Sequence, residues 1–256
     1  MNNNSIFISF RTFYIKEVKR FVKVWGQTIL GPIINTSLFL LVFGVSMSST
    51  HVNTSYTYIQ FLVPGLLMMT IIQNAFANTS SSLLIAKMNG NIVDILMAPL
   101  SPFLIILGYI LGGITRAFLL SICVIAYVSI FTNLAFHNIF IILYYGISAS
   151  IMLGLMGLMI GQISVKFDQV ANFTNLIVTP LSFLSGTFYS IAKLPLFFQI
   201  ISHYNPFFYL IDGFRYGFIG VSDFSIYTGG LNVLIINIIL FITSTLLWKS
   251  GYKIKA

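Results

Sequence analysis

Long apolar runs alternate with short polar interruptions along this chain. Six of the runs are candidates for the ~20-residue helix that crosses a bilayer. They cover residues 28–48, 58–80, 103–130, 139–163, 173–188 and 231–248. The first has Gly31-Pro32 near its start, and the fifth is short and broken by Pro180. The pattern predicts an all-α integral membrane protein with six transmembrane helices.

Residues 5–25 follow a different rhythm. Phe7, Phe10, Tyr14, Val18, Phe21 and Trp25 recur at intervals of three and four, with Lys16, Lys19 and Lys23 on the opposite side and Arg20 close by. This periodicity predicts an amphipathic helix at the cytoplasmic interface, where anionic lipid attracts Lys and Arg. Its candidate interface residues are Lys16, Glu17, Lys19, Arg20 and Lys23. The chain then divides into an interface helix over residues 1–26 and a six-span body over residues 27–256.

The polar island at residues 87–102 is the most informative interruption. Asn89-Gly90-Asn91 is turn chemistry. Asn91 stands where it can cap a helix, with Asp94 three residues on in the capping-box place. Ile92, Ile95 and Leu96 then share one face, and Pro99 and Pro102 stop the helix. So short a helix is marginal alone. Its apolar face has no sequence neighbour to cover it, so it needs the bilayer surface or a partner protein. A tight interfacial loop and a lever pushed by a soluble partner both fit.

Between the last two runs, residues 194–201 and 206–220 are too apolar for a solvated loop and too short to cross. Pro195, Asn205-Pro206, Gly213, Gly217 and Gly220 punctuate them. Re-entrant helices before the last span fit this pattern. Asp212 and Arg215 are three apart and can pair on one such helix. A folded external cap with a structural ion pair is the other possibility.

Composition agrees with a membrane protein. The 256 residues are 57% hydrophobic and 7% charged, against ~25% charged in soluble domains. The net charge of +8 is not interleaved along a soluble face, which argues against nucleic acid as a partner. It sets topology instead. With the N-terminus in the cytoplasm, ten of the thirteen Lys and Arg residues are inside, Lys193 and Arg215 are outside, and Arg116 lies within a run. Both termini are therefore expected in the cytoplasm. No signal peptide is expected, because the first apolar run follows a charged segment and is span length. The single cysteine, Cys123, allows no disulfide within the chain.

Arg116 is the one full charge well inside a span, at a cost of about 2.5–3.5 kcal/mol on insertion scales. It is expected to face the bundle interior or a wet cavity, either paired with a polar group on a neighbouring helix or in a transport path. Gly108, Gly112 and Gly113 on the third run, and Gly154, Gly157 and Gly161 on the fourth, permit close helix approach. The chain lacks a GxxxxGK[ST] phosphate loop. His51, His137 and His203 are scattered without metal-ligand spacing, and no serine comes with a His and an acid in a recognisable elbow. No catalytic, metal or cofactor site is expected.

Several stretches together resemble an ABC-2 type transport permease, the membrane subunit of a bacterial ATP-binding-cassette exporter. They are Lys16-Glu17-Val18-Lys19-Arg20-Phe21 with Trp25-Gly26-Gln27-Thr28 and Gly31-Pro32, then Phe61-Leu62-Val63-Pro64-Gly65-Leu66. Ala86-Lys87 through Asp94-Ile95-Leu96 and Ala98-Pro99 come next. The last are Leu184-Ser185-Gly186-Thr187-Phe188-Tyr189-Ser190, Leu194-Pro195, Gln199, Asn205-Pro206, Tyr209 and Phe214-Arg215-Tyr216-Gly217. The resemblance covers essentially the whole chain and is not specific for substrate.

It implies a homodimer in the bacterial inner (plasma) membrane that works in export with separate ATPase subunits, and those subunits hold the ATP and Mg. It makes the first cytoplasmic loop a coupling helix, with Asn91, Ile92, Asp94, Ile95 and Leu96 as the ATPase-coupling residues. The transport-path or re-entrant candidates are Arg116, Asn205, Pro206, Asp212 and Arg215. Many relatives have paired acids in that loop, where this chain has Val93-Asp94. Without the resemblance, an ion-gradient-driven carrier or a membrane-embedded enzyme or assembly factor would also suit the apolar scaffold.

Overall fold

The computed structural model describes residues 3–44, 51–53 and 56–254. The part of the 28–48 run beyond residue 44 lies outside the described residues. The helices are α1 (Asn3–Lys23), α2 (Gly31–Phe39), α3 (Tyr58–Met88), α4 (Ile92–Met97), α5 (Pro102–Val128), α6 (Ile139–Ile163), α7 (Phe167–Phe173), α8 (Thr179–Leu184), α9 (Leu196–Tyr204), α10 (Pro206–Ile219) and α11 (Ile226–Ser250). The β-structure among the described residues is a two-stranded antiparallel ribbon of β1 (His51–Asn53) and β2 (Tyr56–Thr57).

Among the described residues α3, α5, α6 and α11 are long and apolar enough to cross a membrane. A fifth candidate is the pair of helical stretches before and after residue 25, bent by 77°. The sequence pattern leads to six. The difference lies in two runs that are helical in pieces. Residues 26–44 pass through π turns at Gly26–Leu30 and Leu40–Gly44, and residues 167–184 through one at Thr174–Val178.

Local sequence explains where the long helices start. Thr57 and Gln60 form a capping box at α3, and Asn138 accepts from the N–H groups of Phe140 and Ile141 at α6. Ser101 accepts from Leu104 N–H at α5, with Pro102 as the first helical residue. Pro102, expected to stop α4, therefore starts α5, where its fixed φ and missing N–H are harmless.

α3 is the central post. It packs along α6 and α5 and touches α10, and most of its residues are buried. The close α3–α6 approach rests on Gly157 and Gly161. A Cβ at Gly157 would meet Phe76 O at 2.5 Å, and one at Gly161 would meet Ser80 O at 2.7 Å. Gly108 and Gly112 of α5 do the same for α1, lying against Phe13 and Glu17. These small-residue stripes thus join helices within one chain.

Candidate functional site

Three polar groupings stand out, and all are organised by α3. At its C-terminal end, α4 folds under the bundle. Ile92 and Ile95 are 6% and 4% exposed, and they pack with Leu83, Ile105, Ile106, Leu155 and Trp248. This corrects the expectation of an orphan apolar face, because Ile92 and Ile95 are covered by the chain itself. The outward face is Val93, Asp94, Leu96 and Met97, with Met97 80% exposed. Met88 is exposed just before the turn.

Asn91 does not cap α4. Its φ and ψ are −66° and −6°, in the helical region, and no side-chain cap bond forms. A capping side chain needs an extended backbone to reach the N2 or N3 amide. The turn is closed instead by Gly90, at φ +76°, whose carbonyl accepts from Val93 N–H. Lys87, the last cation of α3, donates to the carbonyls of Gln162 at 2.6 Å and Ser164 at 2.7 Å. It thereby satisfies the C-terminal end of α6. Gln162 Nε2 donates in turn to Leu247 and Tyr252 carbonyls at the end of α11. The α3–α4 corner is thus bonded to two neighbouring helix ends.

The second grouping joins α1, α3 and α5. The bundle-facing stripe of α1 is Phe13, Glu17 and Phe21, which falls between the expected aromatic face and the lysine face. Phe7 and Trp25 are 67% and 62% exposed. Glu17 is fully buried, and Ser82 donates to its carboxylate at 2.7 and 2.9 Å. Arg20 lies 3.5 Å from Glu17, the one ion pair among the described residues. Arg20 also donates to Asn78 O at 2.7 Å and Asn78 Oδ1 at 2.8 Å. Glu17 and Arg20 therefore belong to a buried network, while Lys16, Lys19 and Lys23 are exposed. One helical level away, Arg116 donates to Asn74 Oδ1 at 2.9 Å.

The third grouping lies near the other end of α3. Asn205 caps α10 through Phe207 N–H, and its amide donates to Ser185 Oγ at 2.8 Å. Pro206 follows at the first helical position. Asp212 and Arg215 do not pair, contrary to expectation. Asp212 accepts from Asp223 N–H at 2.9 Å and Phe224 N–H at 3.1 Å. Arg215 donates to Gly186 O and lies 3.8 Å from the Phe61 ring centroid. Each side chain has found backbone groups that would otherwise be buried unsatisfied. The two apolar segments before α11 also differ: α10 is largely buried, whereas Leu196, Phe197 and Tyr204 of α9 are exposed.

Sequence reasoning passed over Val93, Met97, Asn74, Asn78 and Ser82. The i,i+4 pair Val93/Met97 was a readable apolar face. Nothing in one sequence marks which of several Asn and Ser residues on α3 meet a cation.

A helical membrane protein with this order of elements falls into a known class. A family model for the ABC-2 type transporter matches residues 8–219, and the chain belongs to that family. It is a membrane transporter subunit and not an enzyme. Over 235 residues it is 36% identical to the inner membrane transport permease YadH of Escherichia coli strain K12, covering 91% of each chain. The proteins of that name from Escherichia coli O157:H7 and Shigella flexneri align with the same identity and coverage.

Proposed function

We propose that this chain is the permease subunit of an ATP-driven exporter in the bacterial inner membrane. Two copies form the substrate pathway, and a separate ABC ATPase holds the ATP and Mg. Both termini are cytoplasmic, with residues 1–26 as the interface helix and 27–256 as the permease body. The observation that carries this is α4. Its inner face is fixed to the bundle and its outer face offers Val93, Leu96 and Met97 with the charge of Asp94. A small apolar face on a rigid corner suits insertion into a groove of a soluble partner.

The coupling contact is therefore made by Val93, Asp94, Leu96 and Met97, while Ile92 and Ile95 seat the helix and Asn91 lies exposed at its start. Motion of α4 would pass through Lys87 to the end of α6 and through Gln162 to α11. The transport path is bordered by Arg116 on one side and by the re-entrant α9–α10 segment, with Asn205, Pro206, Asp212 and Arg215, on the other.

The test is co-purification with an ATPase encoded next to this chain. Met97→Asp puts a charge into the contact without touching the fold. It should lose the ATPase while membrane levels stay normal. Retention of a coupled complex in Met97→Asp would remove α4 from the interface.

A further inference from the structure

Arg116 has found little inside the protein. A guanidinium has five N–H donors, yet the hydrogen bond it makes among the described residues goes to Asn74, and its Nε has no partner. Arg116 lines a cleft of about 420 Å³ with Arg20, Ser81, Val24 and Thr28. Among the described residues no acid lines that cleft. Glu17, the nearest acid in the network, is buried behind it and already shared between Arg20 and Ser82.

The cleft is not isolated. Arg20 and Val24 also line a neighbouring groove of about 580 Å³ on the outer face of α1, together with Lys16, Lys19 and Lys23. Three exposed lysines therefore lead along α1 to Arg20, which is bonded to Asn78, Glu17 and, at 3.3 Å, Ser81 Oγ, and then to Arg116. Val24, half exposed, lines both hollows with its apolar side chain, and Leu30 and Ile34 are exposed farther along the chain.

We propose that the cleft between α1, α3 and α5 binds a phosphate group, held by Arg116 and Arg20, and that the phosphate belongs to an anionic lipid. Guanidinium groups match phosphate oxygens in geometry and charge. The apolar flank on α1 and α2 takes the acyl chains, and the lysines draw the headgroup in. This goes beyond the coupling of α4 to an ATPase and does not depend on it, because the site is read by binding alone.

The experiment uses the full chain purified in non-ionic detergent, with fluorescent phosphatidylglycerol as the probe. Unlabelled phosphatidylglycerol, phosphatidylcholine and soluble glycerol phosphate are the competitors. Wild type should bind the probe and release it to phosphatidylglycerol at least about tenfold more readily than to phosphatidylcholine. Arg116→Gln should weaken binding about tenfold, and Arg116→Lys should restore most of it. Ser81→Asp separates the site from a purely structural role. It places a carboxylate beside Arg20, so a structural role predicts an unchanged or raised melting temperature with binding intact. The phosphate site predicts the same melting behaviour with probe binding lost. Equal competition by glycerol phosphate would keep the phosphate site and reassign its ligand to a soluble molecule. Undiminished probe binding in Ser81→Asp and Arg116→Gln, or no preference for phosphatidylglycerol over phosphatidylcholine, would overturn the proposal.

Discussion

The two ends of α3 treat charge in opposite ways. Near Tyr58, polar groups are turned into the chain and bonded there, with Arg215 Nε left over. Asp212 takes two backbone N–H groups, Arg215 takes a carbonyl and an aromatic face, and Asn205 caps a helix and bonds Ser185. Arg215 and Asp212 are each only 3% exposed. Toward Met88, a buried layer of Glu17, Ser82, Asn78, Ile92 and Ile95 is overlain by groups that point outward. These are Lys16, Lys19 and Lys23 on α1, Arg116 in its cleft, and Val93 and Met97 on α4. At the first end internal partners meet the burial cost of every group named except Arg215 Nε, which has no room for an outside partner because Arg215 is almost fully buried. At the second it is met only for the lower layer. Fold and function are thus separable at the α4 end, residue by residue, and not at the α10 end.

The largest test of this contrast is Ile95→Asp. Ile95 is an inner-layer residue, and the change removes an apolar side chain from a packed site and buries a carboxylate. Destabilisation of at least about 4 kcal/mol is expected, seen as poor accumulation in the membrane and early melting in detergent. If Ile95→Asp instead accumulated and melted like wild type, α4 would not be seated on the bundle, and Ile95 would return to the partner contact.

Arg215→Leu comes next and probes the other end. It leaves Gly186 O without its buried donor and removes the cation from the Phe61 ring. An unpaired buried carbonyl and a lost cation–π contact together cost about 3 kcal/mol. The measurement is thermal unfolding of the purified chain beside Arg116→Gln, which should melt within about 1 kcal/mol of wild type. Equal losses in the two variants would erase the distinction between a structural arginine and an available one.

Much of this architecture was legible because a membrane imposes length and apolarity together. The runs 103–130 and 139–163 coincide closely with α5 and α6, and the polar island coincides with the α3–α5 turn. The start of α10 was legible from Asn205-Pro206, since an N-cap followed by proline is a local signal. What the chain pattern misplaced depends on tertiary partners. The six-residue α4 shows an apolar face but not which surface covers it, and here that surface is built from α3, α5, α6 and α11. Glu17 reads as one of the charged interface residues because Lys16 and Lys19 lie beside it. It is buried because Ser82 lies 65 positions away in sequence and directly opposite in space. Spacing also put Asp212 beside Arg215, yet backbone groups of the 186 and 223–224 segments compete better for both. None of those partners is visible in a window of one or two turns.

The smallest expected effect is at Asn91, on the outward layer of α4. If its side chain capped the helix, Asn91→Ala would cost about 0.5–2 kcal/mol. It does not cap, because its backbone is helical and its side chain makes no cap bond. The first turn is held by Gly90 O, which accepts from Val93 N–H at 3.3 Å, and the last by Asp94 O, which accepts from Ala98 N–H at 3.1 Å. Neither bond involves the Asn91 side chain. Asn91→Ala should therefore change stability by no more than about 0.3 kcal/mol, a surface substitution in effect. Asp94 lies in the first turn, where a carboxylate favours the N-terminal end of the helix by about 0.3–1 kcal/mol, so Asp94→Asn should cost slightly more than Asn91→Ala. Melting curves of the two variants and wild type in one detergent decide this. A loss above about 1 kcal/mol in Asn91→Ala would mean that the cap forms in solution, and the α4 end would then spend its polar groups on its own fold, as the α10 end does.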